Sequence, residues 1–547
     1  MADRMDSKDA KDVEMTLDVQ SGDKGPTPVE VGSTQGLRRV PGKIPLAALL
    51  ILSVELGERF TYFGLSGPIQ NYIKLPISNP YDPASGLPGA LGRGQASATA
   101  LGNFFKFWAY TSTVIGAVVA DQYLGKFKTI LLACSIYTVG LIILVATSTP
   151  AALKDGAGFG GLIVAMITIG LGTGGIKANV TPMCAEQYKE PEVVVQTLKS
   201  GEIVVVDPQL TVQKLFMWFY WIVNVGALSP LITVNVEAKH SFWLAYLIPL
   251  IYHRHHNLHH HLPPRPKEVH QDPPTGLPLL DAARVTAAAW REKGFENAKP
   301  SALQANGKLA AYPFAREARY TDSYVAEVQR GLRSCKMFLF LPFYFVCWIQ
   351  IWNNLISQAG QMALHGTPND LLQNLDPIAL IIFIPLLDLV VYPTLRKYKI
   401  NFDPTTRIFC GFLFVSISMV YASVLQHHIY NSAPKSIHVW IQAPAYILVA
   451  LSEAFVIVTG LELAYTQAPT NLRSVVSSLF WLTIGVAAAI SIGLSPVSQD
   501  PYLVWMYGSL AIVSLVAGCT FYACFFKNRN MSAQEEELVV EGEEPQK

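Results

Sequence analysis

The chain has 547 residues, 51% hydrophobic and only 15% charged, with mean hydropathy +0.30 and a formal net charge of +1. A soluble protein carries nearer a quarter charged residues, so this composition excludes an ordinary soluble fold and points to a polytopic membrane protein. The even charge balance leaves no nucleic-acid footprint, and the seven cysteines, mostly inside apolar runs and in no CxxC pair, are packing residues, not a disulfide framework or metal site.

Residues 1–42 are polar with no apolar h-region, so neither a cleaved leader nor order is expected there. Apolar stretches of spanning length follow at 45–64, 97–120, 129–149, 159–183 and 215–235, then at 334–356, 377–395, 408–427, 441–465, 475–495 and 502–526. A shorter run, Phe242 to Tyr252, stops before a full span. Counting it, six spans over 43–262 precede a polar linker at 263–332, six more occupy 333–527, and 528–547 form an acidic, disordered tail. The expected fold is all-α, twelve transmembrane helices in two six-helix bundles, the layout of the major facilitator superfamily.

Basic residues set the orientation through the positive-inside rule. Arg38, Arg39 and Lys43 precede the first span, and Lys126 and Lys128 follow the second. Arg396, Lys397 and Lys399 follow the eighth, and Lys527 and Arg529 follow the last. They share one side only if there are twelve spans with both ends cytosolic. In the linker, the amphipathic segment from Leu279 to Trp290 is compatible with a membrane-surface helix or a solvated one. The Asn179-Val-Thr181 glycosylation pattern lies inside a span and is discarded.

The run from His253 to His261 holds six of the twelve histidines and leaves three readings open. It is a metal-binding loop, or it ends the sixth helix after about a dozen apolar residues. Alternatively the reading frame is shifted over 253–272, because histidine codons read one nucleotide later become isoleucine, methionine or threonine codons. That third reading restores a membrane helix and satisfies the charge rule.

The chemistry concentrates in the first span. Glu55, Glu58, Arg59 and Tyr62 fall at i, i+3, i+4 and i+7, one helical face. A single charge near the bilayer centre costs roughly 2.5–3.5 kcal/mol. Three together imply a wet pathway where they pair and exchange protons, against the plainer alternative of a structural ion pair.

The run Glu55-Leu-Gly-Glu58-Arg59-Phe60-Thr-Tyr62-Phe63-Gly64 resembles the ExxERFxYYG signature of the proton-dependent oligopeptide transporter family, departing at Phe63. Gly116 to Lys128 is similar to the loop motif after the second helix. Gly172 to Val180 with Glu186-Gln187, and Phe219 to Leu228, resemble the fourth- and fifth-helix signatures. Asn353 to Met362, Ser452-Glu453 and Gly460 to Pro469 are similar to the fungal di- and tripeptide branch. The order and helix placement of these motifs agree along almost the whole chain.

The resemblance implies a proton-coupled symporter that imports di- and tripeptides, not an enzyme. It implies a plasma-membrane monomer with no cofactor beyond protons and no resident metal. Proton coupling would fall to Glu55, Glu58, Arg59 and Lys177, with Lys177 paired to a first-helix carboxylate. Arg59 and Lys177 would also face the peptide carboxylate, Glu453 its amino group, and Tyr62 and Asn224 its backbone. Trp481 would line a side-chain pocket or simply pack. Asp121 with Lys126 and Lys128 would make a cytosolic gate contact. Glu462 is read as a structural polar residue and Asp388 has no assigned role.

Two further positions depart from the family pattern. The seventh-helix acidic residue beside Gln350 is replaced by Ile349, and the second-helix histidine of animal members by Asn103. The competing readings are a non-transporting nutrient sensor of the same fold and a carrier of another small solute such as nitrate. Glu453 disfavours an anion.

Overall fold

The computed structural model describes residues 27–28, 39–77, 87–188, 194–197, 201–255, 278–317, 320–398, 402–466 and 473–541. They form two units, 1–43 with 189–214 and 44–188 with 215–547.

The smaller unit is a four-stranded sheet of order β1-β3-β4-β2. Its strands are β1 (Thr27–Pro28), β2 (Arg39–Val40), β3 (Val194–Thr197) and β4 (Ile203–Val206). β3 and β4 form an antiparallel hairpin with Val194 opposite Val206 and Thr197 opposite Ile203. β1 adds antiparallel to β3, and β2 adds parallel to β4. Four N-terminal residues expected to lack order are therefore strands. The valine-rich hairpin supplies β-branched side chains and free ladder groups, a non-local partner that composition cannot reveal.

The larger unit is helical. In chain order its first part holds α1 (Leu46–Ser66), α2 (Ile69–Lys74), α3 (Gly94–Val119), α4 (Lys126–Thr147) and α5 (Ala157–Glu186). Next come α6 (Pro208–Gly226), which begins in the smaller unit, α7 (Pro230–Lys239) and α8 (Phe242–His253). The linker supplies α9 (Pro278–Arg291) and α10 (Asp322–Ser334). The second bundle holds α11 (Leu341–Trp348), α12 (Asn354–Ala359), α13 (Leu375–Leu386), α14 (Pro404–Asn431), α15 (Ala443–Thr466), α16 (Arg473–Gly493) and α17 (Leu503–Glu541).

Among the described residues, seven helical stretches are long and apolar enough to cross a membrane. α1 is not among them, because it carries Glu55, Glu58 and Arg59, and α3 is not, because glycine, asparagine, serine and threonine residues along with Lys106 dilute its apolar character. α8 stops at His253, whose Nε2 lies 3.2 Å from the Cys134 carbonyl oxygen. Residues 256–277, which hold most of the histidine run, lie outside the described residues. The last helix runs to Glu541, well past the expected start of a disordered tail at 528.

Small residues bring the helices of the first bundle together. A Cβ on Gly116 of α3 would lie 2.6 Å from Gly175 Cα of α5, and one on Gly172 would lie 2.8 Å from Tyr137 Cβ of α4. α5 is therefore wedged between α3 and α4 at near backbone contact. The amphipathic linker helix also finds protein. Ala282, Val285, Ala288 and Ala289 of α9 are buried in a core with Val325 and Val328 of α10, while Trp290 stays 85% exposed. The apolar face, compatible by sequence with either a membrane surface or a solvated helix, is instead covered by other residues of the linker, α10 among them.

Candidate functional site

The first-helix charges are buried. Glu55 and Arg59 are each 3% exposed and Glu58 is 0% exposed. Arg59 Nε lies 3.1 Å from Glu55 Oε1, and its Nη2 is paired with Glu58 Oε2. One guanidinium thus spans both carboxylates, as its planar fork of donors allows. It also lies 5.4 Å from the centroid of Tyr62, whose ring stacks on Phe105 of α3 at 5.6 Å. Gly226 sets the approach of α6 to this cluster, because a Cβ there would fall 2.7 Å from Arg59 Cβ. The helix breaks immediately after it, and α7 starts at Pro230.

Lys177 of α5 departs from expectation. It makes no ion pair among the described residues. Its Nζ sits over two rings, 3.9 Å from the Tyr110 centroid and 4.7 Å from that of Trp481. These rings stack on each other at 6.0 Å across the interface between α3 and α16. The physical reason is that Arg59 already occupies both glutamates, leaving the lysine to the quadrupoles of an aromatic pair. Trp481, read as either a pocket lining or plain packing, is thus half of a cation–π seat.

In the second bundle, Glu453 of α15 is 7% exposed and is held by neutral donors. Tyr220 Oη donates to its Oε1 at 2.8 Å, and Trp348 Nε1 donates to its Oε2 at 2.6 Å. Tyr220 belongs to α6 of the first bundle, so the contact bridges the two halves. Glu453 lines a central cavity with Phe63, Asn224, Trp348, Trp352 and Asp376. The space is about 40 Å³, room for a few waters and far below the ~300 Å³ where ligand pockets begin. Admitting a peptide requires the bundles to part.

Five contributors were not singled out by sequence reasoning. Tyr110, Tyr220 and Trp348 lie in apolar runs where an aromatic residue carries no positional signal. Asp376 of α13 is 5% exposed and was passed over because it falls one residue before the apolar stretch at 377. Lys106 had a signal. It is a lone cation in a spanning run, 7% exposed, with Nζ 5.5 Å from the Trp352 centroid.

Asn224 donates from Nδ2 to the Tyr220 carbonyl at 2.9 Å, one turn back on its own helix. Asn103 accepts from Asn353 Nδ2 at 2.7 Å across the bundle interface. At the gate motif, Lys126 pairs with Glu186 at the end of α5, and Lys128 is exposed. Asp121 lies in the π-helical turn Ala120–Leu124 that follows α3. Asp388 lies in a second such segment, Leu387–Val391. The side chains of Asp121, Asp388 and Glu462 lie outside the described ones.

Comparison with known proteins agrees with this architecture. A POT family (PTR2) sequence profile matches residues 127–252 and 281–511, breaking off where the histidine run begins. The chain is 41% identical to the probable peptide transporter ptr2 of Schizosaccharomyces pombe, over 98% of the chain and 87% of the relative. It is 39% identical to the peptide transporter PTR2 of Saccharomyces cerevisiae, over 94% and 84%. Among solved structures, the POT family transporter PepTSo superposes with a TM-score of 0.67 at 20% identity, covering 90% of this chain and 99% of that one. At that identity the superposition speaks to the fold alone. The matching profile, the fungal relatives and the two bundles together place the chain, a multi-pass membrane protein, in the POT family.

Proposed function

We propose that this protein is a proton-coupled symporter that imports di- and tripeptides by alternating access, the two bundles rocking around the central site. The observation that carries the reading is the polarity of that site. A carboxylate, Glu453, is held by two neutral donors on one side. On the other side, Arg59 is shared between two glutamates and Lys177 is held by two rings. A short zwitterion matches that polarity. Its ammonium would replace the Tyr220 and Trp348 donors at Glu453, and its carboxylate would draw Arg59 away from Glu55 and Glu58 and Lys177 from its aromatic seat. A glutamate released from its cation takes up a proton more readily, which couples the two ligands. Asp376 beside Glu453 adds to the pull on an ammonium and disfavours nitrate.

In this reading the chain works as a monomer in the plasma membrane, with both ends cytosolic and no cofactor beyond protons. Tyr62 and Asn224 bind peptide backbone. Lys126 with Glu186, and Asp121 and Lys128 beside them, act in the cytosolic gate. The test is uptake of a labelled dipeptide into proteoliposomes holding the full chain, with and without an imposed inward proton gradient. Accumulation only with the gradient is expected. Peptide binding without accumulation would instead identify a sensor, and accumulation indifferent to the gradient would remove proton coupling.

A further inference from the structure

At the end of the bundles reached by the C-terminus of α1, a network ties the two halves together. Gln95 Nε2 donates to Asn354 Oδ1 at 2.9 Å, and Gln70 Nε2 to Ser357 Oγ at 3.3 Å. These partners are neutral and indifferent to pH. One contact differs. Glu237 of α7 and Asp370, just before α13, are 2% and 0% exposed and converge on the same side-chain amide.

Both are gathered by Asn71 of α2, which is 1% exposed. Its Nδ2 lies 3.1 Å from Glu237 Oε1, 3.2 Å from Asp370 Oδ2 and 2.9 Å from Asn369 Oδ1. Asn369 Nδ2 returns a bond to Asn71 Oδ1 at 3.0 Å. The second oxygens, Glu237 Oε2 and Asp370 Oδ1, are buried and have no donor among the described residues. The titratable neighbours offer no counter-charge. Tyr72 of α2, Tyr246 of α8 and Tyr446 of α15 are buried hydroxyl groups, and Lys74, Lys239 and His240 make no ion pair with either acid.

Two carboxyl groups from opposite bundles, sharing one amide and lacking a cation, are compatible with a closed interface only if a proton lies between them. We propose that Glu237 and Asp370 form a proton-binding gate, closed when the pair holds one proton and pushed apart when both are ionised. Resting on the orientation proposed above, this end faces outward. The proton is then taken from the outer solution and returned to it when the gate reopens, so it sets when the gate closes and is not itself carried. With Ile349 in place of the seventh-helix acid, this pair gives the second bundle a proton-responsive contact at its interface with the first.

The experiment reads the gate directly, without peptide. Spin labels at Asp155→Cys and Ser432→Cys, exposed positions on the same end of the two bundles, are placed in the full chain carrying Cys519→Ser and Cys524→Ser. Distances are measured in nanodiscs from about pH 5 to about pH 8. In the otherwise native chain, long distances should gain population with rising pH, changing the open-to-closed ratio at least about tenfold. In E237Q, and separately in D370N, an amide can donate to the remaining carboxylate without a proton, so the ratio should vary less than about twofold. A native ratio that does not respond to pH, or the full response retained in both variants, overturns the gate. Because no transport is measured, a failure of peptide uptake in proteoliposomes leaves this result standing on its own.

Discussion

The two halves of the central site solve the problem of a buried carboxylate in opposite ways. In the first bundle, Glu55 and Glu58 share one arginine on the same helix. In the second, Glu453 has no cation among the described residues and is held by a phenol and an indole. A carboxylate locked to a guanidinium resists losing its charge, and its equilibrium changes only when something competes for the arginine. One held by neutral donors is available to any arriving cation. The first arrangement suits a proton switch and the second suits capture of an ammonium group, and only together do they link the two events.

The sharpest way to break that comparison is Arg59→Ala. It leaves two buried carboxylates without their cation, a loss of about 3–5 kcal/mol. The expected outcome is a lowered unfolding temperature in detergent and no gradient-driven uptake. Driven uptake surviving in a stable Arg59→Ala protein would make the first-helix cluster merely structural.

Glu453→Gln should be milder. Hydrogen bonds to a charged group contribute about 1.5–3 kcal/mol, so uptake of free dipeptides should fall roughly 10–150-fold. N-acylated analogues, lacking the ammonium, should lose much less, and concentration series for the two substrates read the difference. Equal losses would remove the amino-group role.

The smallest effect is expected at the aromatic seat. Tyr110→Leu removes the nearer ring under Lys177, a cation–π contact of about 1–2 kcal/mol, and should weaken peptide uptake roughly 5–30-fold. Fold and surface level should stay unchanged by fluorescence of a tagged chain. An unchanged affinity would return Tyr110 and Trp481 to simple packing.

Much of the plan was legible in the chain itself. Spans announce themselves because twenty apolar residues have few alternatives to crossing a bilayer. The charged face of α1 was readable because spacing of three and four residues places side chains together on any helix. The strands at Thr27–Pro28 and Arg39–Val40 were not, since their partners lie more than 150 residues away and polar composition gives no hint of them. Nor was the cover over α9, because an amphipathic stripe shows that a partner exists without saying whether it is lipid or protein.

What the sequence alone determined, then, was the inventory of charges and the helices that carry them. A bilayer tolerates so few buried charges that each must have a purpose. The pairing was decided by tertiary structure. Gly226 lets α6 approach Arg59, and α3 and α16 meet so that Tyr110 and Trp481 receive Lys177. Asn71 joins Glu237 to Asp370, from 166 and 299 positions away in the chain. Such choices depend on which helix faces are brought within a few ångströms, a property of packing that local periodicity does not encode.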